Sequence, residues 1–242
     1  MTDLLVREIR RALAENADAS KAEGMRAYMK SAMPYRGVQA PALRKLVRAA
    51  LKDHPADNKE AWESAVLELW DGAEYREERY AALEVSGAKR CMPFRTIDTL
   101  PMFEHMVVSG AWWDFVDDIA THRLRELLER CPGEMAPSMR TWSRDTDMWK
   151  RRAAVLCQVG RKEHTDLALL FDCIEPNLSD RDFFIRKGIG WALRDLAWRD
   201  LKVVEDYVAR NRGRLSALSS REALKNAGKI RSGGHLSRRA AG

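Results

Sequence analysis

The sequence predicts an all-α chain, built as an irregular bundle or as a stack of helical hairpins. Apolar residues recur at helical spacing: Leu5, Ile9 and Leu13; Leu43, Leu46, Val47 and Ala50; Trp62, Val66 and Leu69. Turn residues punctuate these stripes at short intervals, at Pro34-Tyr-Arg-Gly37, His54-Pro55, Ser86-Gly87, Cys131-Pro-Gly133 and Glu175-Pro-Asn177. No stretch shows convincing strand alternation.

Taken in order, one helix follows from each of the Leu5, Leu43 and Trp62 stripes, and each break from one of those turns. Later starts are signalled by Ser179-Asp-Arg-Asp182 and Ser219-Ser-Arg-Glu222, both with the spacing of a capping box. The pattern accommodates about twelve helices of about 9–18 residues. No strict repeat is visible, but degenerate hairpins of about 40 residues, as in HEAT-type arrays, tolerate such drift. A single folded domain is expected over 1–228. The stretch 229–242, with four bases and no acid, is expected to be a disordered basic tail.

Composition narrows the function. The chain has 242 residues, 45% hydrophobic and 32% charged, which suits a globular core. No run of apolar residues exceeds five, whereas a membrane helix needs about 20. The start, with Asp3, Arg7 and Glu8, does not read as a signal peptide, so a cytoplasmic protein is expected. Cys91, Cys131, Cys157 and Cys173 have no zinc-ligand spacing and read as free thiols. The net charge is +6; residues 211–242 hold eight bases and one acid, +7, leaving −1 for the first 210. Overall basicity is therefore weak support for nucleic-acid binding. There is no GxxxxGK[ST], GxGxxG, HExxH or GxSxG, so no nucleotide, metal or cofactor is called for.

Four segments stand out. In Ser109-Gly-Ala-Trp-Trp-Asp-Phe-Val-Asp-Asp118, Trp113 and Asp117 are four apart and share a helix face. An aromatic plate beside a carboxylate suits a cationic ligand, while Trp113 as core and Asp117 as a solvated or dipole-stabilising acid is the plainer alternative. In Asp147-Met-Trp-Lys-Arg-Arg-Ala-Ala-Val155, Arg152 falls on the face of Met148, Val155 and Val159. It needs an anionic partner there, a carboxylate or a phosphate. In Asp182–Asp195, Gly188 and Gly190 each weaken a helix by about 1 kcal/mol. Close packing or a backbone held against a ligand would compensate. Trp191 and Arg194 are three apart there. The segment Met25–Pro41 mixes aromatics and bases around a turn and reads weakly as a binding loop.

In this order, YMKSAMPYRGVQAP, WWDFVD, MWKRRAAVL and DFFIRKGIGWALRDLA with SSREALKNAG resemble the AlkD family of DNA alkylation repair glycosylases. The resemblance runs from about residue 25 to 228. It implies a right-handed superhelical stack of HEAT-like hairpins. It also implies a monomer without metal or cofactor that hydrolyses the N-glycosidic bond of N3- or N7-alkylated purines in double-stranded DNA. Trp113, Asp117 and Trp191 match the family's active-site aromatics and carboxylate, and Arg152 the arginine beside them. Tyr28 and Gln39 match DNA-contacting positions, and Arg152, together with Lys150, Arg151, Lys187 and Arg194, is expected on phosphates. A non-catalytic HEAT protein for distorted or branched DNA and a protein-binding scaffold are the alternatives.

Overall fold

The computed structural model describes residues 2–232. Among them are fourteen α-helices from Thr2 to Ala223 and a further helical stretch at 227–232, joined by short 3-10 turns and one π-helical turn; no strand is present among the described residues, so the all-α expectation holds. Two compact units are present, Met1–Met102 and Phe103–Gly242.

The first unit holds α1 (Thr2–Glu15), α2 (Ala19–Met29), α3 (Ala40–Asp53), α4 (Lys59–Asp71) and α5 (Arg76–Ser86). Leu5, Ile9, Leu13, Leu43, Val47, Trp62, Val66 and Leu69 are all buried, so the three stripes read in the sequence are its core. The turn at 34–38 is fixed from below. Glu77, fully buried on α5, accepts hydrogen bonds from the backbone N–H groups of Arg36 (3.0 Å), Gly37 (2.8 Å) and Val38 (3.1 Å). Gly37 has φ +86°, and a Cβ there would lie 2.0 Å from the carbonyl oxygen of Asp18. The bases and aromatics of this segment therefore surround a structural clamp. Tyr28 and Gln39 stand exposed on either side of it in sequence.

α6 (Leu100–Gly110) contains the division. The second unit continues with α7 (Trp113–Asp118), a π-helical turn at Ile119–Leu124 and α8 (Arg125–Arg130). Then come α9 (Pro132–Trp142), α10 (Met148–Leu156), α11 (Leu167–Ile174), α12 (Phe183–Ala197), α13 (Leu201–Arg210) and α14 (Ala217–Ala223). α10 packs on both α7 and α12, and α12 packs closely on α14. That arrangement positions the site.

Short polar side chains set the starts, but not always those expected. Asp182, not Ser179, caps α12, accepting from Phe184 N (2.6 Å) and Ile185 N (3.1 Å). The preceding 3-10 turn, Glu175–Asn177, holds Ser179 ahead of the helix. Ser216 caps α14, accepting from Ser219 N at 2.9 Å, so Ser219 and Glu222 lie inside that helix. In both places a capping residue offset by three from the expected one wins the N-terminus. Residues 227–232 are helical, so helix extends four residues into the expected tail; 233–242 lie outside the described residues.

Replacing Glu77 with Ala removes the acceptor for three backbone donors, two of the hydrogen bonds being fully buried. Each orphaned group costs about 1–3 kcal/mol. We expect Glu77→Ala to lose at least about 3 kcal/mol of stability, read as a lower urea midpoint. A midpoint unchanged from wild type would contradict the clamp.

Candidate active site

The site starts where α6 ends. Ala111 adopts a left-handed conformation (φ 41°), unfavourable by about 1–2 kcal/mol for a residue with a Cβ. It turns the chain so that Trp112 is extended (φ −150°, ψ 146°) and Trp113 opens α7. Asp117 follows one turn later, on the same face. Directly beyond it the helix widens into the π turn, and Thr121 donates its hydroxyl to the Asp117 carbonyl at 2.7 Å. π insertions cluster at functional positions in helices.

Asp117 is met by Arg152 from α10. Arg152 Nε donates to Oδ1 and Nη2 to Oδ2, both at 2.8 Å. The third nitrogen, Nη1, donates to the Phe184 carbonyl in the first turn of α12. Arg152 is 5% exposed and the Asp117 side chain 15%. Burial pushes the Asp117 carboxyl above the ordinary aspartate range, while the Arg152 hydrogen bonds and charge pull it down. Of the two partners left open for Arg152 by the sequence, the structure supplies the carboxylate.

Gly188 makes room for this arginine. A Cβ on Gly188 would stand 3.2 Å from Arg152 Nη1, and Gly188 lies three residues from Trp191 on α12. Gly190 serves a different contact: a Cβ there would fall 2.5 Å from the Cβ of Glu222 and 3.0 Å from the Ser219 carbonyl oxygen on α14. The structure thus joins Asp117 directly to Arg152, with Trp113 one turn before Asp117 on α7 and Trp191 one turn after Gly188, the glycine that leaves room for Arg152. Both tryptophans are partly exposed.

An aromatic wall backs the pair. Trp112, Trp149 and Phe184 pack with ring centroids 5.1–6.4 Å apart. Trp149 is one turn before Arg152, and Phe184 carries the carbonyl that Arg152 holds. The Trp112 indole nitrogen is buried with no hydrogen-bond partner in the protein. Trp112, Trp149 and Phe184 were not singled out from sequence; their only signals are the Trp112-Trp113 and Phe183-Phe184 doublets and the tryptophan beside Met148.

The expected phosphate contacts are engaged internally. Lys150 pairs with Glu104 (2.6 Å) and Asp145 (2.5 Å). Arg151 donates to Asn177 (3.1 Å), Asp180 (3.0 Å) and the carbonyls of Asp145 and Thr146. Lys187 pairs with Glu222 at 2.9 Å, and Arg194 pairs with the other oxygen of the same carboxylate. In the first unit Tyr28 is 77% exposed, and Gln39 is exposed at the start of α3 without using its side chain as a cap. Among the described residues no cluster of three His, Cys, Asp or Glu side chains can hold a metal, and the four cysteines are free.

The described residues form an all-helical fold that carries a largely buried carboxylate–guanidinium pair, the class of protein on which the comparisons bear. The comparisons narrow that class. The profile of the family described as "DNA alkylation repair enzyme" matches residues 9–227, and the chain belongs to that family. A solved structure titled "Predicted DNA alkylation repair enzyme from Enterococcus faecalis" is 27% identical and superposes with a TM-score of 0.77. The match covers 86% of this chain and 95% of that one. No protein with a curated description matches the sequence significantly. Membership gives the protein a role in alkylation repair and makes DNA its partner. No helix among the described residues is long and apolar enough to cross a membrane.

Removing one partner of a buried pair costs about 3–5 kcal/mol, because the other charge stays buried. Arg152→Ala is expected to lose about that much at pH 7. The orphaned Asp117 would then have its pKa raised by burial, well above its unfolded value, and could fold in its protonated form at lower pH. The deficit against wild type should therefore shrink between pH 7 and pH 5 in urea titrations. A pH-independent deficit would mean that Arg152 acts through packing alone.

Proposed function

We propose that the protein is an alkylpurine DNA glycosylase, releasing cationic N3- or N7-alkylated purines such as 3-methyladenine and 7-methylguanine from duplex DNA. The observation that carries this reading is the bidentate Asp117–Arg152 pair, with the carboxylate still 15% exposed and an aromatic residue one turn along α7. The Trp113, Asp117, Arg152 and Trp191 positions are also those that the AlkD-like motifs place at the active site.

The chemistry suits such a site. A purine alkylated at N3 or N7 already carries positive charge, so the bond from its nitrogen to C1′ breaks with the electron pair going to the base, and no general acid is needed. Positive charge develops on the sugar as the bond stretches. A carboxylate about 4 Å from a unit positive charge is worth at most about 4 kcal/mol at an effective dielectric near 20, or about a thousandfold in rate. Arg152 reduces that field, since the pair is neutral overall, but it holds both oxygens in one orientation. Such preorganisation means little rearrangement is needed as charge develops. Water then adds its oxygen to C1′ and releases a proton, for which Asp117 is the adjacent acceptor. Trp113 and Trp191 offer π faces to the cationic base and sugar.

Tyr28 and Gln39 in the first unit, and Lys150, Arg151, Lys187 and Arg194 in the second, are proposed as DNA contacts under the same reading. The lysines and arginines would reach phosphates with the donors that their internal partners leave unused. The HEAT-like character of the hairpins and a monomeric state belong to this proposal as well.

The test is release of free base from methylated duplex DNA by wild type and Asp117→Asn. Wild type should release 7-methylguanine or 3-methyladenine, and the variant should be slower by about a hundredfold or more, within the thousandfold bound. Uracil, a neutral base, should stay in place. Intact duplex binding with no release by wild type would favour a non-catalytic DNA-structure binder; equal release by both proteins would remove Asp117 from the mechanism.

The pH profile gives an independent check. Asp117 must be ionised to act, and its carboxyl lies above the ordinary aspartate value of 3.8. The single-turnover rate should therefore fall on the acid side as pH drops through the raised pKa. That limb should be absent from whatever residual activity Asp117→Asn retains.

A further inference from the structure

On α12, Lys187, Gly190, Trp191 and Arg194 stand at i, i+3, i+4 and i+7, which places them along one face. Glu222 from α14 lies across this face. One of its carboxylate oxygens takes the Lys187 ammonium at 2.9 Å, and the other takes Arg194 Nη1. The two cations are two helical turns apart, so a single carboxylate spans them only because α12 and α14 approach closely. Gly190 permits that approach, as its missing Cβ would fall on the Cβ of Glu222. Ser219, one turn before Glu222, adds a hydroxyl bond to the Arg186 carbonyl at 2.9 Å. Both cations remain partly exposed, Lys187 at 38% and Arg194 at 23%, whereas Glu222 is withdrawn at 16%.

We propose that Glu222 is a positioning residue for DNA binding: it holds Lys187 and Arg194 two turns apart, on either side of Trp191, with their remaining donors facing a phosphate backbone. The inference rests on the glycosylase reading only in needing duplex DNA as the ligand. Lysine and arginine each carry about 2 kcal/mol of rotamer entropy. Fixing them in the free protein removes that cost from binding. The lowered pKa of Glu222, due first to Lys187 and then to Arg194, keeps the clamp charged across the physiological range.

A carboxylate beside a DNA-binding face can act in two opposite ways. If it merely neutralises two bases, its removal adds one positive charge and tightens binding. If it positions them, its removal weakens binding although the net charge rises. The measurement is duplex affinity against salt, using a labelled duplex that contains 7-methylguanine, for wild type, Glu222→Gln and Glu222→Asp. Positioning predicts that Glu222→Gln binds about tenfold more weakly, with a log K against log salt slope shallower by about 1–2, since each duplex phosphate contact contributes about 0.9.

Glu222→Asp keeps the charge but is one methylene shorter, so it can reach only one cation. It should fall between the two, and it keeps the test alive if the Gln variant folds poorly. In a Lys187→Gln, Arg194→Gln background, Glu222→Gln should change affinity less than about twofold, because there is nothing left to position. Equal or tighter binding by both Glu222 variants overturns the proposal, as does a full loss that persists in that background. Failure of wild type to bind duplex DNA would remove the reading beneath it, and this proposal with it.

Discussion

Asp117 and Arg152 are both withdrawn from water, and each makes the other tolerable. Taking a carboxylate and a guanidinium out of solvent costs several kcal/mol per ion, and mutual attraction offsets this only when geometry is good and leftover donors are satisfied. The surroundings meet those conditions from three helices. α7 brings Asp117 after the strained turn at Ala111, α10 brings Arg152, and α12 contributes the Phe184 carbonyl to the third guanidinium nitrogen. Gly188 then leaves the guanidinium its space. A pair so expensive to bury is weak as a stabilising device. Under the proposed function it is instead the fixed polar element that presents a carboxylate still 15% exposed.

How much of this the sequence discloses depends on the range of the cause. The Leu5, Leu43 and Trp62 stripes translate directly into the core of the first unit, because helical periodicity is local. The Trp113–Asp117 spacing and the anomaly of a charge at Arg152 are local too, and both mark the candidate site. What is not local is hidden. Nothing near Arg152 says that its partner is 35 residues away, and the choice between carboxylate and phosphate is open until the fold closes it. The AlkD-like motifs point to the same residues, but by likeness rather than by physics.

Charge shows the same limit more sharply. Counted along the chain, the stretch 144–162 looks strongly basic, with six bases against two acids. In space, Glu104 reaches Lys150 and Asp180 reaches Arg151, from outside that window. Glu222 likewise sits between Lys187 and Arg194 while belonging, in sequence, to the basic stretch after 211. A linear charge count therefore overstates how many bases are unpaired, and it misses that the acids decide where the bases point. The displaced helix caps have a related origin: Ser179 and Asp182 both suit an N-cap, and the one used, Asp182, is set by where the chain enters α12 after the 3-10 turn at 175–177.

The two glycines of α12 show how one local weakness can serve two contacts. Each lowers helix propensity by about 1 kcal/mol, and a helix interior does not ordinarily retain two such residues so close together without a compensating gain. Gly188 yields its side-chain volume to Arg152, whereas Gly190 yields it to Glu222 and Ser219. The first admits the buried arginine of the site; the second admits the helix that carries the carboxylate across the basic face. Because they are two residues apart, the glycines point to different sides of α12. The helix can thus be gripped by α10 on one side and α14 on the other, with Trp191 next in line after Gly190. The loss of propensity is local, while both compensations come from packing with other helices, which is where most helix stability in a folded protein resides.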